Sequence, residues 1–184
     1  ITAAANGATA VGSAALGSLS TGAKNTAMGQ SALEGLNDGS NNVGIGYLTA
    51  DAMTGANNNV AIGNGALGTM VHGDNNTAVG HDALATANEA GINRNTAFGH
   101  TAAALLTTGA SNTAIGSRAM GAGTVTGDNN TCVGESAGSN ITDGADNVFI
   151  GNGAGGSGVN FTTGDQCVII GSAADVSTAD AQNQ

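Results

Sequence analysis

The chain has 184 residues, among them 32 glycines and no proline, and it carries a formal net charge of −10. Aromatic residues make up 2% of it, too few to anchor a conventional core, yet 40% is apolar, which is not typical of disorder. The strong cations Lys24, Arg94 and Arg118 are too few to neutralise nucleic-acid phosphates or to form a polybasic membrane patch. No apolar run approaches the roughly 20 residues of a membrane span, so we expect no membrane insertion.

A five-residue block recurs through the whole chain, and it opens with asparagine in eight of ten copies. In chain order the copies are residues 8–12, 25–29, 42–46, 59–63, 76–80, 95–99, 112–116, 130–134, 147–151 and 167–171. The second position is always Thr or Val, and the fourth is Val, Met, Ile or Phe. Because β-branched residues at alternate positions are typical of strands, each block predicts a short strand.

The fourth position of each block is predicted to point into the core, because it carries the largest apolar side chains. The third position is mostly Ala, and it should face an opposing surface too close for a large side chain, either in the same chain or in a neighbouring one. The predicted core residues are Val11, Met28, Ile45, Ile62, Val79, Phe98, Ile115, Val133, Ile150 and Ile170.

Each block is followed by a segment that we call the arm, which begins after the closing glycine of the block. Ala stands three residues after that glycine in nine of ten copies, and Leu often follows it. This Ala-Leu-x-x-Leu spacing fits a single helical or 3₁₀ turn about as well as a kinked strand, and the sequence leaves both open. A second glycine, such as Gly39, then turns the chain back.

One such unit cannot bury its own apolar side, but stacked units can. The sequence therefore predicts an all-β fold, a parallel β-solenoid (β-roll) of about ten 17-residue coils. We expect residues 1–184 to form a single repetitive segment, an excerpt of a longer fibre protein. Small side chains and many glycines bury little area per residue, so we also expect three identical chains to pack into a homotrimeric rod, with end-to-end continuation.

The asparagine that opens a block has two interpretations, which are compatible. It is either a turn residue that satisfies local backbone groups or a member of a ladder in which amides bond from coil to coil. The members are Asn25, Asn42, Asn59, Asn76, Asn95, Asn112, Asn130 and Asn147.

The Asn-Thr-Ala-Ile-Gly blocks resemble the head repeats of YadA-like trimeric autotransporter adhesins, and the longer 17-residue unit is similar to repeats of phage tail fibres. The resemblance covers nearly the whole chain. It implies a left-handed parallel β-roll with three chains side by side, in an extracellular fibrous protein without an active site. The coil is longer than the usual adhesin-head repeat, so the second side of each coil is expected to be wider.

Few residues suggest chemistry. His81 and His100 follow the closing glycines of neighbouring blocks and are weak candidates for a metal site, although the same position elsewhere is a mixed polar row. The Asp-Asn-Asn turns at residues 74–76 and 128–130 resemble calcium-binding turns, but solubilising turn residues explain them as well. Cys132 and Cys167 lie two coils apart, beyond disulfide reach. We expect no enzyme activity and no cofactor.

These observations favour a structural or adhesive segment of an extracellular fibre, located on a cell surface or virion: a phage tail fibre, a bacterial adhesin or a filament. Its partners would be two further copies of itself and an unidentified cell-surface receptor or glycan. The alternative is a monomeric β-solenoid that binds ice or glycan, since flat threonine rows can order water. Here Val43, Val60 and Val148 interrupt the threonine row, which weakens the ice-binding alternative.

Overall fold

The computed structural model describes residues 7–87, 92–121, 123–156 and 164–175. Within these ranges the chain forms a parallel β-solenoid with ten strands in a single sheet, ordered β1 to β10 as in the sequence, and no helix. The strands are β1 (Thr9–Val11), β2 (Thr26–Met28), β3 (Val43–Ile45), β4 (Val60–Ile62), β5 (Thr77–Val79), β6 (Thr96–Phe98), β7 (Thr113–Ile115), β8 (Thr131–Val133), β9 (Val148–Ile150) and β10 (Val168–Ile170). The predicted fold class is confirmed.

Equivalent positions of successive blocks pair with one another along the whole sheet. Ala61, for example, lies opposite Gly44 on one side and Ala78 on the other. This register persists where the repeat has 19 residues instead of 17, because Thr96 still pairs with Thr77. The extra residues are therefore accommodated outside the strands. We number the coils 1 to 10 after the strand that each contains.

The middle residue of each strand, not the fourth position of each block, points into the coil. This inner row is Ala10, Ala27, Gly44, Ala61, Ala78, Ala97, Ala114, Cys132, Phe149 and Ile169, and from Ala27 onward all of it is buried. In a three-residue strand the two flanking side chains must then both point outward. Each strand therefore contributes one residue to the core and two to the surface.

The predicted core row is consequently wrong. Its members lie on the outer face of the sheet, half-buried or exposed, with exposed fractions that reach 66% at Ile170. They are Val11, Met28, Ile45, Ile62, Val79, Phe98, Ile115, Val133, Ile150 and Ile170. The prediction assumed that the largest apolar side chains fill the core, whereas here the arm supplies the core volume and the strand must stay small.

Large apolar side chains of the arm fill the coil opposite the inner row. Leu16, Leu33, Leu67 and Leu84 are fully or almost fully buried. A Cβ atom added at Gly44 would lie 2.7 Å from Cγ of Leu33, so the strand and the arm are in direct contact. The alanine row therefore faces the arm of its own chain, and the alternative of a neighbouring chain is wrong for this row.

The arm is neither a helix nor a strand. The second and fourth residues after the closing glycine both have positive φ in coils 1 to 9, as at Ser31 (56°) and Leu33 (52°). Their backbone amides bond to neighbouring coils in opposite directions: Leu33 N donates to Thr49 O at 2.9 Å, and Ser31 N donates to Ser13 O at 2.8 Å. The arm thus continues the coil-to-coil hydrogen bonding of the sheet through residues in the left-handed region.

The closing glycine is required by conformation in all ten blocks and also by space in the first nine. Gly99 has φ of 139°, and a Cβ atom there would lie 2.6 Å from the carbonyl oxygen of Gly116 in the next coil. An L-residue would be strained by the backbone angle and would also collide with backbone that cannot move aside. This explains why glycine ends all ten blocks.

Candidate functional site

The outer face of the sheet is the most extensive candidate for an interaction surface. It consists of two side-chain rows that flank the inner row, one of Thr or Val and one of Val, Met, Ile or Phe. None of the residues in the ten described strands is charged, although the chain has a net charge of −10. Val11, Met28, Phe98 and Ile170 are between 48% and 66% exposed. Contiguous apolar surface of this kind marks interaction sites in soluble proteins.

Short parallel strands make this face long and narrow. Ten strands about 4.8 Å apart and three residues wide give a strip of roughly 48 by 10 Å. Its threonines are consecutive on four coils, where Thr77, Thr96, Thr113 and Thr131 pair in register. Sequence reasoning missed this face because it assigned the bulkier of the two rows to the interior.

The predicted asparagine ladder is present inside one corner of the coil. Asn59 donates from its backbone N–H and from Nδ2 to Oδ1 of Asn42, at 2.9 and 3.1 Å, and its Oδ1 accepts from Asn76 N at 2.8 Å. Its Nδ2 also donates to Gly73 O at 2.8 Å. All eight predicted members, Asn25, Asn42, Asn59, Asn76, Asn95, Asn112, Asn130 and Asn147, are buried.

The hydrogen bonds of this ladder satisfy the buried asparagine side chains without a bound ligand. No buried side-chain nitrogen or oxygen in the described part of the chain lacks a hydrogen-bond partner. At coil 10 the ladder ends in Cys167, whose backbone N–H donates to Asn147 Oδ1 at 2.9 Å. The amides therefore hold the coils together and are not presented to solvent.

A second ladder, which the sequence did not reveal, lies two residues before the first. Asn57 N donates to Asp74 Oδ1 at 2.7 Å, Asp74 N donates to Asn93 Oδ1 at 2.7 Å, and Ala110 N donates to Asp128 Oδ1 at 2.7 Å. Each side-chain oxygen accepts from the backbone of the preceding coil. The aspartates of the Asp-Asn-Asn turns thus have a structural role that does not require calcium.

The two cysteines are separate, buried thiols. Burial raises the pKa of Cys132 to about 12, so its thiol stays protonated at neutral pH. Its side chain fills the inner row opposite Gly138. Cys132 is therefore a core residue and not a nucleophile.

His81 and His100 lie together at the beginning of the arms of coils 5 and 6. Their ring centroids are 5.4 Å apart with planes inclined by 22°, and His81 Nδ1 lies 3.1 Å from Asp82 Oδ2. Among the described residues, no group of three or more His, Cys, Asp and Glu side chains is arranged to hold a metal ion. The third histidine, His72, is exposed in the turn of coil 4.

A shallow depression of about 330 Å³ lies beside this pair, on the arm side of coils 3 to 5. Its lining includes Asp51, Gly65, Gly68 and Asp82. Partial burial, reinforced by the nearby carboxylate of Glu34 and opposed by a backbone hydrogen bond, raises the pKa of Asp51. The depression has a carboxylate at either end and no cationic residue in its lining.

Comparison with protein-family models, with curated proteins and with solved structures found no match to this chain. Among the described residues there is no helix long and apolar enough to cross a membrane. The observations that bear on function are therefore the geometry of the solenoid and the chemistry of its surfaces.

Proposed function

We propose that this chain is a structural segment of an extracellular fibre on a cell surface or virion, in which parallel copies of the chain, three in number, pack along their full length. The uncharged outer face of the sheet carries this proposal. It replaces the alanine row as the surface through which copies meet, because that row is filled by the chain's own arm.

Charge supports self-association through this face. Two copies that each carry a net charge of −10 repel one another, and this repulsion is weakest between surfaces that have no acidic residues. None of the Asp and Glu residues that the structure describes lies in a strand. A face that recognised a cationic or an anionic partner would carry charged side chains, whereas an identical apolar face needs none.

The area of the face is also sufficient for a specific interface. The strip of roughly 48 by 10 Å buries about 1,000 Å² when two copies meet, which is the lower limit for a stable protein interface. The branched Val and Ile side chains suit sheet-to-sheet packing about 10 Å apart.

Light scattering coupled to size exclusion tests the assembly. We expect a trimer for the parent chain, and we expect Ile62→Glu to give a folded monomer, because it places a charge in the centre of the face. Asn64→Glu is the matched control, since the same charge is added two residues away, on an exposed arm position of the same coil. A parent chain that stays monomeric at its highest soluble concentration contradicts the proposal.

A monomeric parent chain would favour the second candidate, a solenoid that binds ice or glycan through the same face. The four consecutive threonines on coils 5 to 8 are the observation that supports it, because they form a regular row of hydroxyl and methyl groups. Thr96→Lys should then abolish the binding, measured as thermal hysteresis for ice or by a glycan array, without changing the circular dichroism spectrum.

A further inference from the structure

The histidine pair has a geometry that neither the fibre role nor the core requires. His81 and His100 are both exposed, and neither contributes to the ladders or to the outer face of the sheet. The parallel stacking of coils 5 and 6 places the two imidazoles side by side, with ring centroids 5.4 Å apart. Chain topology thus presents two imidazole ligands at one point of the surface.

Each ring has a partner for its Nδ1 atom. His81 Nδ1 lies 3.1 Å from the carboxylate of Asp82, and His100 Nδ1 lies 3.4 Å from Thr101 Oγ1. A carboxylate accepts only from a protonated Nδ1, which leaves the lone pair of His81 on Nε2. A hydroxyl can accept from His100 in the same way. Hydrogen bonds of this kind orient imidazoles that bind metals through the other nitrogen.

We propose that His81 and His100 form a binding site for one divalent transition-metal ion, such as Cu²⁺, Ni²⁺ or Zn²⁺, which both Nε2 atoms ligate and water completes. Imidazole is a preferred ligand of these ions. Bonds of about 2.0–2.1 Å require the two Nε2 atoms to lie about 3–4 Å apart, so the rings tilt toward each other from their stacked arrangement. Their exposure leaves room for that tilt.

The electrostatic surroundings favour a cation. Asp82 adds a negative charge next to His81, and the chain as a whole is strongly acidic. The neighbouring cation is Arg118, and its Nη2 atom lies 3.7 Å from Oε1 of Glu135, so its charge is directed toward coil 8. Two protein ligands are fewer than the four of a structural zinc site, so we expect weaker binding than such a site gives.

A bound ion would join two coils. His81 and His100 belong to consecutive coils that are separated by a repeat of 19 residues, two more than the usual 17. An ion that binds only the folded chain stabilises it in proportion to its concentration. The site would therefore act as a clasp across this longer repeat.

Calorimetric titration of the untagged chain with Ni²⁺, Cu²⁺ and Zn²⁺ tests the site, with Mg²⁺ as an oxygen-preferring control ion. We expect one transition-metal ion per chain and a higher melting temperature in its presence. His81→Gln and His100→Gln should each weaken binding at least about tenfold, because one imidazole loses the chelate. His72→Gln is the matched control and should bind like the parent.

Three results would overturn the site. They are no metal binding by the parent chain, an equal loss of metal affinity with His72→Gln, or metal affinities of His81→Gln and His100→Gln that equal the affinity of the parent chain. The last would show two independent imidazoles. Far-UV circular dichroism establishes that each variant is folded, and because stoichiometry is counted per chain, the result does not depend on whether the copies form a fibre.

Discussion

A small strand residue inside the coil is accompanied by a large arm residue, and in coil 9 the two sizes are reversed. This complementarity predicts that substitutions at the two positions compensate each other. In coil 2 the small Ala27 lies in the strand and the large Leu33 in the arm, whereas in coil 9 Phe149 lies in the strand and Gly155 in the arm. A Cβ atom at Gly155 would lie 2.7 Å from Cδ1 of Phe149. Gly155 has φ of 65°, close to the 52° of Leu33, so the backbone of coil 9 already accommodates the coil 2 arrangement.

Each single substitution should destabilise the chain strongly. Phe149→Ala removes a fully buried ring and should cost about 3–5 kcal/mol. Gly155→Leu should cost about 1–3 kcal/mol from overpacking against the ring and about 1–2 kcal/mol from the left-handed backbone. In the double variant the leucine occupies the volume that the ring vacates. We therefore expect a favourable coupling energy of about 3 kcal/mol, at the upper end of the range for residues in contact.

Thermal unfolding followed by far-UV circular dichroism measures the cycle, and hydrogen exchange of the coil 8 to 10 amides detects local opening there. The control cycle combines Gly155→Leu with Ile150→Ala, because Ile150 points outward and should not couple to the arm. A double variant at positions 149 and 155 that is as unstable as the sum of its single variants would refute the exchange of volume between strand and arm.

Four further changes test other parts of the fold, each by denaturant unfolding. Asn76→Ala removes hydrogen bonds to both neighbouring coils and should cost about 2–6 kcal/mol, whereas Asn64→Ala, at an exposed position without positive φ, should have little effect. Ala78→Leu should destabilise every assembly state by about 1–3 kcal/mol, because its side chain points into the filled coil. Lys24→Gly should be about 1 kcal/mol more stable than Lys24→Ala, since φ is 59° there. The raised pKa of Asp51 means that its ionised form opposes folding, so Asp51→Asn should stabilise the chain at neutral pH and lose that advantage as the pH falls toward 3.8.

The sequence predicts the solenoid and its register well, because glycine and asparagine recur at positions that only a stacked backbone explains. Gly99 is needed at φ of 139°, and Asn59 bonds to the equivalent residue of the coil before it. Both requirements repeat from coil to coil, so a single sequence displays the glycine ten times and the asparagine eight times. The asparagine ladder could be predicted for the same reason.

The direction in which the strand faces could not be predicted from hydrophobicity. Ala78 and Val79 are both apolar, and the alternation does not say which of them is inside. The answer depends on the arm, whose leucines occupy the coil from the opposite side in a left-handed backbone conformation that propensity rules do not anticipate for Leu84. When the inward-facing position is assigned one residue too late, the outer row of each strand is predicted to lie in the core.

The sequence shows that the two histidines occupy the same position of the repeat, but it does not show how their rings are arranged. Only the stacked coils show that the rings of His81 and His100 lie parallel and that Asp82 adjoins one of them. The aspartate ladder was hidden for a different reason. Ser40, Asn57 and Asp74 share one role through a single oxygen acceptor, and their side chains are too different to suggest a repeat.

Because the register is uniform, the solenoid can be lengthened or shortened by whole coils. Removal of residues 43–59 would join Asn42 to Val60 and restore an Asn-Val-Ala-Ile-Gly block, with β2 in the position to pair with β4. Each such loss or gain of 17 residues changes the length of the solenoid by about 4.8 Å, and every remaining coil still stacks on an equivalent coil. Loss or gain of whole repeats could therefore adjust the length of the solenoid without redesigning its core.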